Sequence, residues 1–145
     1  MYRLIATVII TFGLAGSAIA EPHDVFATFL THDGGSHIQI SDCGDGTPCG
    51  KIVWINPETV RAGYTAETAV GQNGAPILGA TLLQDFERKR KDWRGGTVYD
   101  PENDKLYAAR LKRLDDGNLQ LKGCIGVFCQ TQVWTLVPDK LASSQ

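Results

Sequence analysis

The sequence predicts an all-β chain: a single up-and-down antiparallel barrel of about eight strands, with one long loop and little helix. Three observations lead there. Short segments that alternate apolar and polar residues recur along the chain. Clusters of Gly, Asp, Asn and Pro separate them and read as tight turns. Gly is abundant, 16 residues of 145, and the apolar stretches are short. Eight such strands in sequence order close into a barrel or fold as a sandwich, and closure removes the exposed edges.

Residues 25–31 form the first expected strand, and His32-Asp33-Gly34-Gly35 the first turn, since Asp and Gly tolerate positive φ. Ile38 and Ile40 alternate with His37, Gln39 and Ser41 in the second strand. The Gly-rich loop 43–49 follows, then a strand at 51–55 that reads as buried on both faces. Residues 56–76 hold Pro57, Gly63, Gly71, Gly74 and Pro76 and read as one long loop, with room for a helical turn near 58–61. Loops of this length commonly serve as lids or binding loops. Strands are then expected at 81–86, 93–99, 106–114, 119–123 and 131–137. Tyr107, Ala109 and Leu111 face one way in the sixth of these strands, and Leu119, Leu121 and Gly123 share a face in the next.

The first twenty residues read as a secretory signal. Arg3 is their only charge, an apolar run spans residues 4–14, and Ala18-Ile19-Ala20 fits an A-x-A cleavage site. The run is too short for a spanning helix, which needs about 20 apolar residues. Cleavage is expected after Ala20, leaving one domain at 21–145. Leu14-Ala15-Gly16-Ser17 resembles a lipid-attachment box with Ser in place of the required Cys, so no stable membrane anchor is expected. A periplasmic or secreted location follows.

The whole chain carries a formal net charge of −2, and loss of Arg3 with the signal takes it to −3. That balance argues against nucleic acid as a partner. In an exported chain the four cysteines Cys43, Cys49, Cys124 and Cys129 read as two disulfides. Of the three pairings, Cys43–Cys49 and Cys124–Cys129 are favoured, because each closes a short Gly-containing loop. Neither spacing is C-x-x-C.

Several blocks stand in order: Cys43-Gly44-Asp45, Cys49-Gly50-Lys51-Ile52-Val53-Trp54, Trp93-Arg94-Gly95-Gly96-Thr97-Val98-Tyr99-Asp100-Pro101, Lys105-Leu106-Tyr107, Leu121-Lys122-Gly123-Cys124-Ile125-Gly126 and Gln132-Val133-Trp134-Thr135. Together they resemble the bacterial domain of unknown function family 2147 over nearly all of the mature chain. The resemblance implies an exported, calycin-like protein with a lipocalin-like barrel; the family brings no established activity. This chain departs from the family pattern twice. Ala27-Thr28-Phe29 stands for Gly-x-Trp, and Trp134-Thr135-Leu136 for Trp-Thr-Arg. In lipocalin-like barrels that Trp and Arg pack at the closed end, where a cation over an aromatic face contributes about 0.5–2 kcal/mol. Phe29 and Leu136 are therefore expected to meet as an apolar pair without the charge.

Phe29, Trp54, Tyr107 and Trp134 are the ligand-binding candidates: inward aromatics would line an apolar pocket in a hollow barrel, or fill the core of a solid one. Arg88, Lys89, Arg90, Lys91 and Arg94 form a basic cluster that would meet an anionic envelope component, or stand as a solvated hairpin tip. His32 and His37 flank a turn and could meet across it, but two histidines make a poor metal site. Pro22 removes the amide that an amino-terminal copper site at His23 needs. No metal, cofactor or catalytic residue is expected, since no nucleophile–base pair, carboxylate pair or phosphate loop stands out. The expected function is binding of a small apolar or amphipathic ligand inside the barrel, without enzymatic activity. The alternative is an interaction module with a filled barrel that uses the basic cluster.

Overall fold

The computed structural model describes residues 19–142. Most of the expected signal segment and residues 143–145 lie outside the described residues. Nine strands form one antiparallel sheet: β1 Thr28–Leu30, β2 Ser36–Asp42, β3 Pro48–Ile55, β4 Thr81–Gln84, β5 Glu87–Arg88, β6 Trp93–Asp100, β7 Lys105–Arg113, β8 Leu119–Ile125 and β9 Phe128–Leu136. Pairing runs β4-β3-β2-β1-β9-β8-β7-β6, and β4 also pairs with β6, closing eight strands into a barrel. β5 is an extra short strand in a hairpin with β6. Among the described residues, helix is confined to a 3-10 turn, Pro57–Thr59, and one carboxy-terminal turn, α1 Asp139–Ala142.

The ends of the barrel differ. Turns 31–35, 101–104 and 126–127 and the long 56–80 connection lie at one end, and turns 43–47, 85–92 and 114–118 at the other. The second end is plugged by residues 21–27, which is why β1 is shorter than the strand expected at 25–31. This segment crosses the barrel instead of extending the sheet. Val25 is fully buried. The Arg113 N–H donates to the Pro22 carbonyl (2.9 Å), and the Trp93 indole N–H donates to the His23 carbonyl (2.9 Å).

Phe29 and Leu136 are cross-strand partners in this plug, as the paired replacement requires. The charge, however, is not lost. Arg113 on β7 places its guanidinium 5.1 Å from the Phe29 ring centroid and donates to the Asp24 carbonyl at 2.8 Å. The cation comes from a different strand, a relation that sequence comparison along one strand cannot reveal.

Two irregularities shape the wall. In β6 the pairing with β7 jumps between Trp93 and Gly96, with Gly95 at φ +72°. A Cβ on Gly96 would fall 2.4 Å from the buried Phe86 ring, so the ring occupies the place of a side chain. In β3, Ile52 pairs with Ile38 and Trp54 with His37, which leaves Val53 as an extra residue. A bulge of this kind reverses the inward-outward alternation beyond it. The strand is therefore not buried on both faces as expected: Lys51 and Val53 are exposed, and Ile52 and Ile55 face the core.

Both disulfides join the favoured local pairs, Cys43–Cys49 and Cys124–Cys129. No helix among the described residues is long and apolar enough to cross a membrane.

Candidate ligand-binding site

The barrel is hollow. A cavity of about 1060 Å³ opens at the end formed by turns 31–35, 101–104 and 126–127. That volume is at the upper end of the range for small-molecule sites, about 300–1,000 Å³.

β9 builds one wall through its period of two. Phe128, Gln130, Gln132 and Trp134 all line the cavity and descend from rim to floor. Trp134 is buried, and its indole N–H donates to the Gln132 side-chain oxygen at 3.0 Å. This bond fixes the amide so that its NH₂ end is left for a guest. Opposite and beside Trp134, Ile38, Ile52, Leu82 and Leu121 make the lower chamber apolar. Gly123 keeps the middle open: a Cβ there would meet Val98 Cγ1 at 3.6 Å and Tyr107 Cβ at 3.8 Å, ordinary contacts with no clash.

The rim is polar. His32, Asp33, Arg61, Tyr64 and Glu102 line it. Burial of the Asp33 carboxyl opposes ionisation, yet its pKa lies below the ordinary value. The Thr31 hydroxyl (2.6 Å), the Gly35 N–H (3.0 Å) and the nearby His32 outweigh the burial. The Arg61 guanidinium sits 4.9 Å from the Tyr64 ring centroid.

The long connection is a fastened cover. Ala69 is buried in the core cluster, and Val60, Ala66 and Ile77 pack against it. The Gln72 N–H donates to the Pro101 carbonyl at 2.9 Å. The Asn73 amide donates to the Tyr99 hydroxyl (3.0 Å), which donates to Asp104 (2.7 Å). The bond to Asp104, with burial and the charges of Asp104 and Asp100, raises the Tyr99 pKa.

The four expected aromatics divide. Tyr107 and Trp134 line the cavity. Phe29 lies in the plug, fully buried under Arg113. Trp54 does not line the cavity: beyond the β3 bulge it packs against His37, with ring centroids 4.4 Å apart and the planes tilted by 41°. His32 lines the rim while His37 packs against Trp54, so the two histidines do not converge as the turn alone suggested. The basic cluster stands at the closed end, away from the cavity. Lys89 pairs with Glu87 and Arg94 with Asp92, each at 2.7 Å, while Arg88, Arg90 and Lys91 are exposed without ion pairs among the described residues. Sequence reading missed Gln130, Gln132 and Gly123 as site residues. The signal for the first two was the alternation Phe128, Gln130, Gln132, Trp134, which starts three residues before the strand expected at 131.

The known proteins agree with this architecture. A solved structure described as "Protein HP1028 from the human pathogen Helicobacter pylori belongs to the lipocalin family" superposes with a TM-score of 0.61 at 14% identity, covering 88% of this chain and 89% of that one. Such a likeness shows the fold. No curated protein matches the sequence. Residues 27–136 match the model of DUF2147, described as an uncharacterized protein conserved in bacteria, and the chain belongs to that family.

Proposed function

We propose that this protein is a binding protein for a small amphipathic molecule and acts outside the cytoplasm after signal cleavage following Ala20. The hollow barrel, closed by its plug and open at one polar rim, carries the reading. The guest's apolar part lies among Ile38, Ile52, Leu82, Leu121 and Trp134. Its polar part lies toward Gln130 and Gln132, within reach of the rim. Apolar burial supplies the affinity, and the few polar groups set orientation. The protein works by sequestration, with no chemical step. The periplasm suits two disulfides in a bacterial family.

The test is native mass spectrometry of the protein purified from its own host, beside Gly123→Leu. Leu at 123 projects into the cavity from a strand with room for its Cβ. The expected result is a stoichiometric small-molecule adduct on the wild type and at least a tenfold weaker adduct on the variant, with the unfolding midpoint unchanged or raised. A wild type that never carries or takes up a small molecule would remove the reading.

A further inference from the structure

β7, β8 and β9 contain no Asp or Glu, yet they carry Lys105, Arg110, Lys112, Arg113 and Lys122. Arg113 is used in the plug. Arg110, Lys112 and Lys122 point outward and make no ion pair among the described residues. Arg110 and Lys122 are direct cross-strand partners. Like charges in that position repel and weaken a sheet, and an anionic surface laid over them would relieve the repulsion.

The same strands end in an apolar tip. Val127 is 89% exposed, Phe128 82% and Leu106 60%, with Ile125 beside them at 48%. The Cys124–Cys129 bond staples the hairpin directly below, so the tip is held projecting. Val133 adds a further exposed apolar side chain on β9. A soluble polyanion has no use for these side chains. A bilayer accepts both parts: cations among the headgroups and aliphatic or aromatic tips below them.

We propose that the outer face of β7, β8 and β9 docks reversibly on an anionic phospholipid surface. The barrel lies on this side, tilted so that Val127 and Phe128 enter the bilayer. The acidic turn with Asp100, Glu102 and Asp104 borders the face on its β6 side and sets the roll toward β8 and β9. Ile125 and Phe128 also line the cavity rim, so docking brings the mouth to the lipid, where an amphipathic guest is concentrated. Each cation near an anionic surface strengthens binding roughly fivefold, and burial of Phe128 about tenfold or more.

The experiment is co-flotation of the signal-free chain with vesicles of phosphatidylcholine alone or of equimolar phosphatidylcholine and phosphatidylglycerol. Wild type is expected to float with the anionic vesicles, at least tenfold better than with neutral ones. Val127→Asp with Phe128→Asp should lose at least tenfold, and the milder Phe128→Ser severalfold, each with an unchanged near-ultraviolet spectrum. Arg110→Glu with Lys122→Glu should lose the preference for phosphatidylglycerol. Gly123→Leu should float like wild type, which separates this proposal from the cavity reading. Failure of wild type to float overturns the proposal. Flotation lost in the charge variant but kept in both tip variants overturns it in favour of an anionic polymer. A tip variant that floats normally but changes a concentration-dependent oligomer assigns the tip to a second copy of this chain instead.

Discussion

Arg113 joins three parts of the closed end: its backbone N–H holds Pro22, its guanidinium holds the Asp24 carbonyl, and its charge lies over Phe29. Truncation takes the donor from the part-buried Asp24 carbonyl and removes the cation from the ring. Arg113→Met should therefore destabilise by about 2–4 kcal/mol in urea unfolding, and residues 21–27 should become the first site of proteolysis. At the rim, Asp33 gives a pH dependence. Its pKa is lowered by folding, net of the burial that opposes ionisation, so the folded state binds its proton less readily than the unfolded one. Its contribution is present above the ordinary carboxylate pKa and is lost as pH falls through the lowered folded value. Asp33→Asn should lower stability near neutrality, where that contribution is present, and converge with wild type at low pH, flattening the acidic limb in unfolding measured across pH. Trp54 shows what residue type alone leaves open. An aromatic in a strand apolar on both faces can point either way, and one extra residue in β3 put it outside.

Among the elements, the 56–80 connection is where sequence and structure differ most. Its Gly and Pro content reads as an unstructured loop, and a lid was a natural expectation. Instead the segment doubles back on itself through the Val70–Pro76 bridge and the Ile77 N–H to Ala69 carbonyl bond, at 3.0 Å, then fastens to the β6–β7 turn. Such bonds between distant residues leave no local pattern. Tyr99→Phe breaks the link between Asn73 and Asp104. It should speed amide hydrogen exchange at residues 69–77 severalfold, with exchange in β7 and β8 unchanged. The hairpins were far more legible. β7 and β8 alternate as read, and each of the two disulfides spans a short turn where it constrains the unfolded chain by about 2 kcal/mol. Their ends were less so: β9 begins at Phe128, because a cross-strand disulfide carries pairing to the tip of the turn.

For the whole molecule, closure and hollowness have different causes. Closure follows from eight consecutive short strands, and the β4–β6 pairing completes it. Hollowness follows from what projects inward. β9 presents two glutamines above its tryptophan, and β8 presents Gly123 where a larger residue would fill the space. Gly123→Leu is thus a test of the whole architecture as well as of one wall. Charge is divided on the same scale. Acidic residues stand in the turns at both ends of the barrel, while β7 to β9 hold none. The basic run at 88–91 was visible as neighbouring letters. The Arg110–Lys122 pair was not, because its members lie on different strands.

The sequence by itself determined the strand meander, its turns and the cysteine pairs, together with the family pattern. These depend on neighbours along the chain: period two, residues that accept turn geometry, and loops short enough to close. Tertiary structure decided which aromatics face the cavity and where the plug finds its cation. It also decided how the long connection is tied, and which cations and apolar tips share a face. Those depend on strand register and on a single bulge. A shift of one residue sends every side chain beyond it to the other side of the wall.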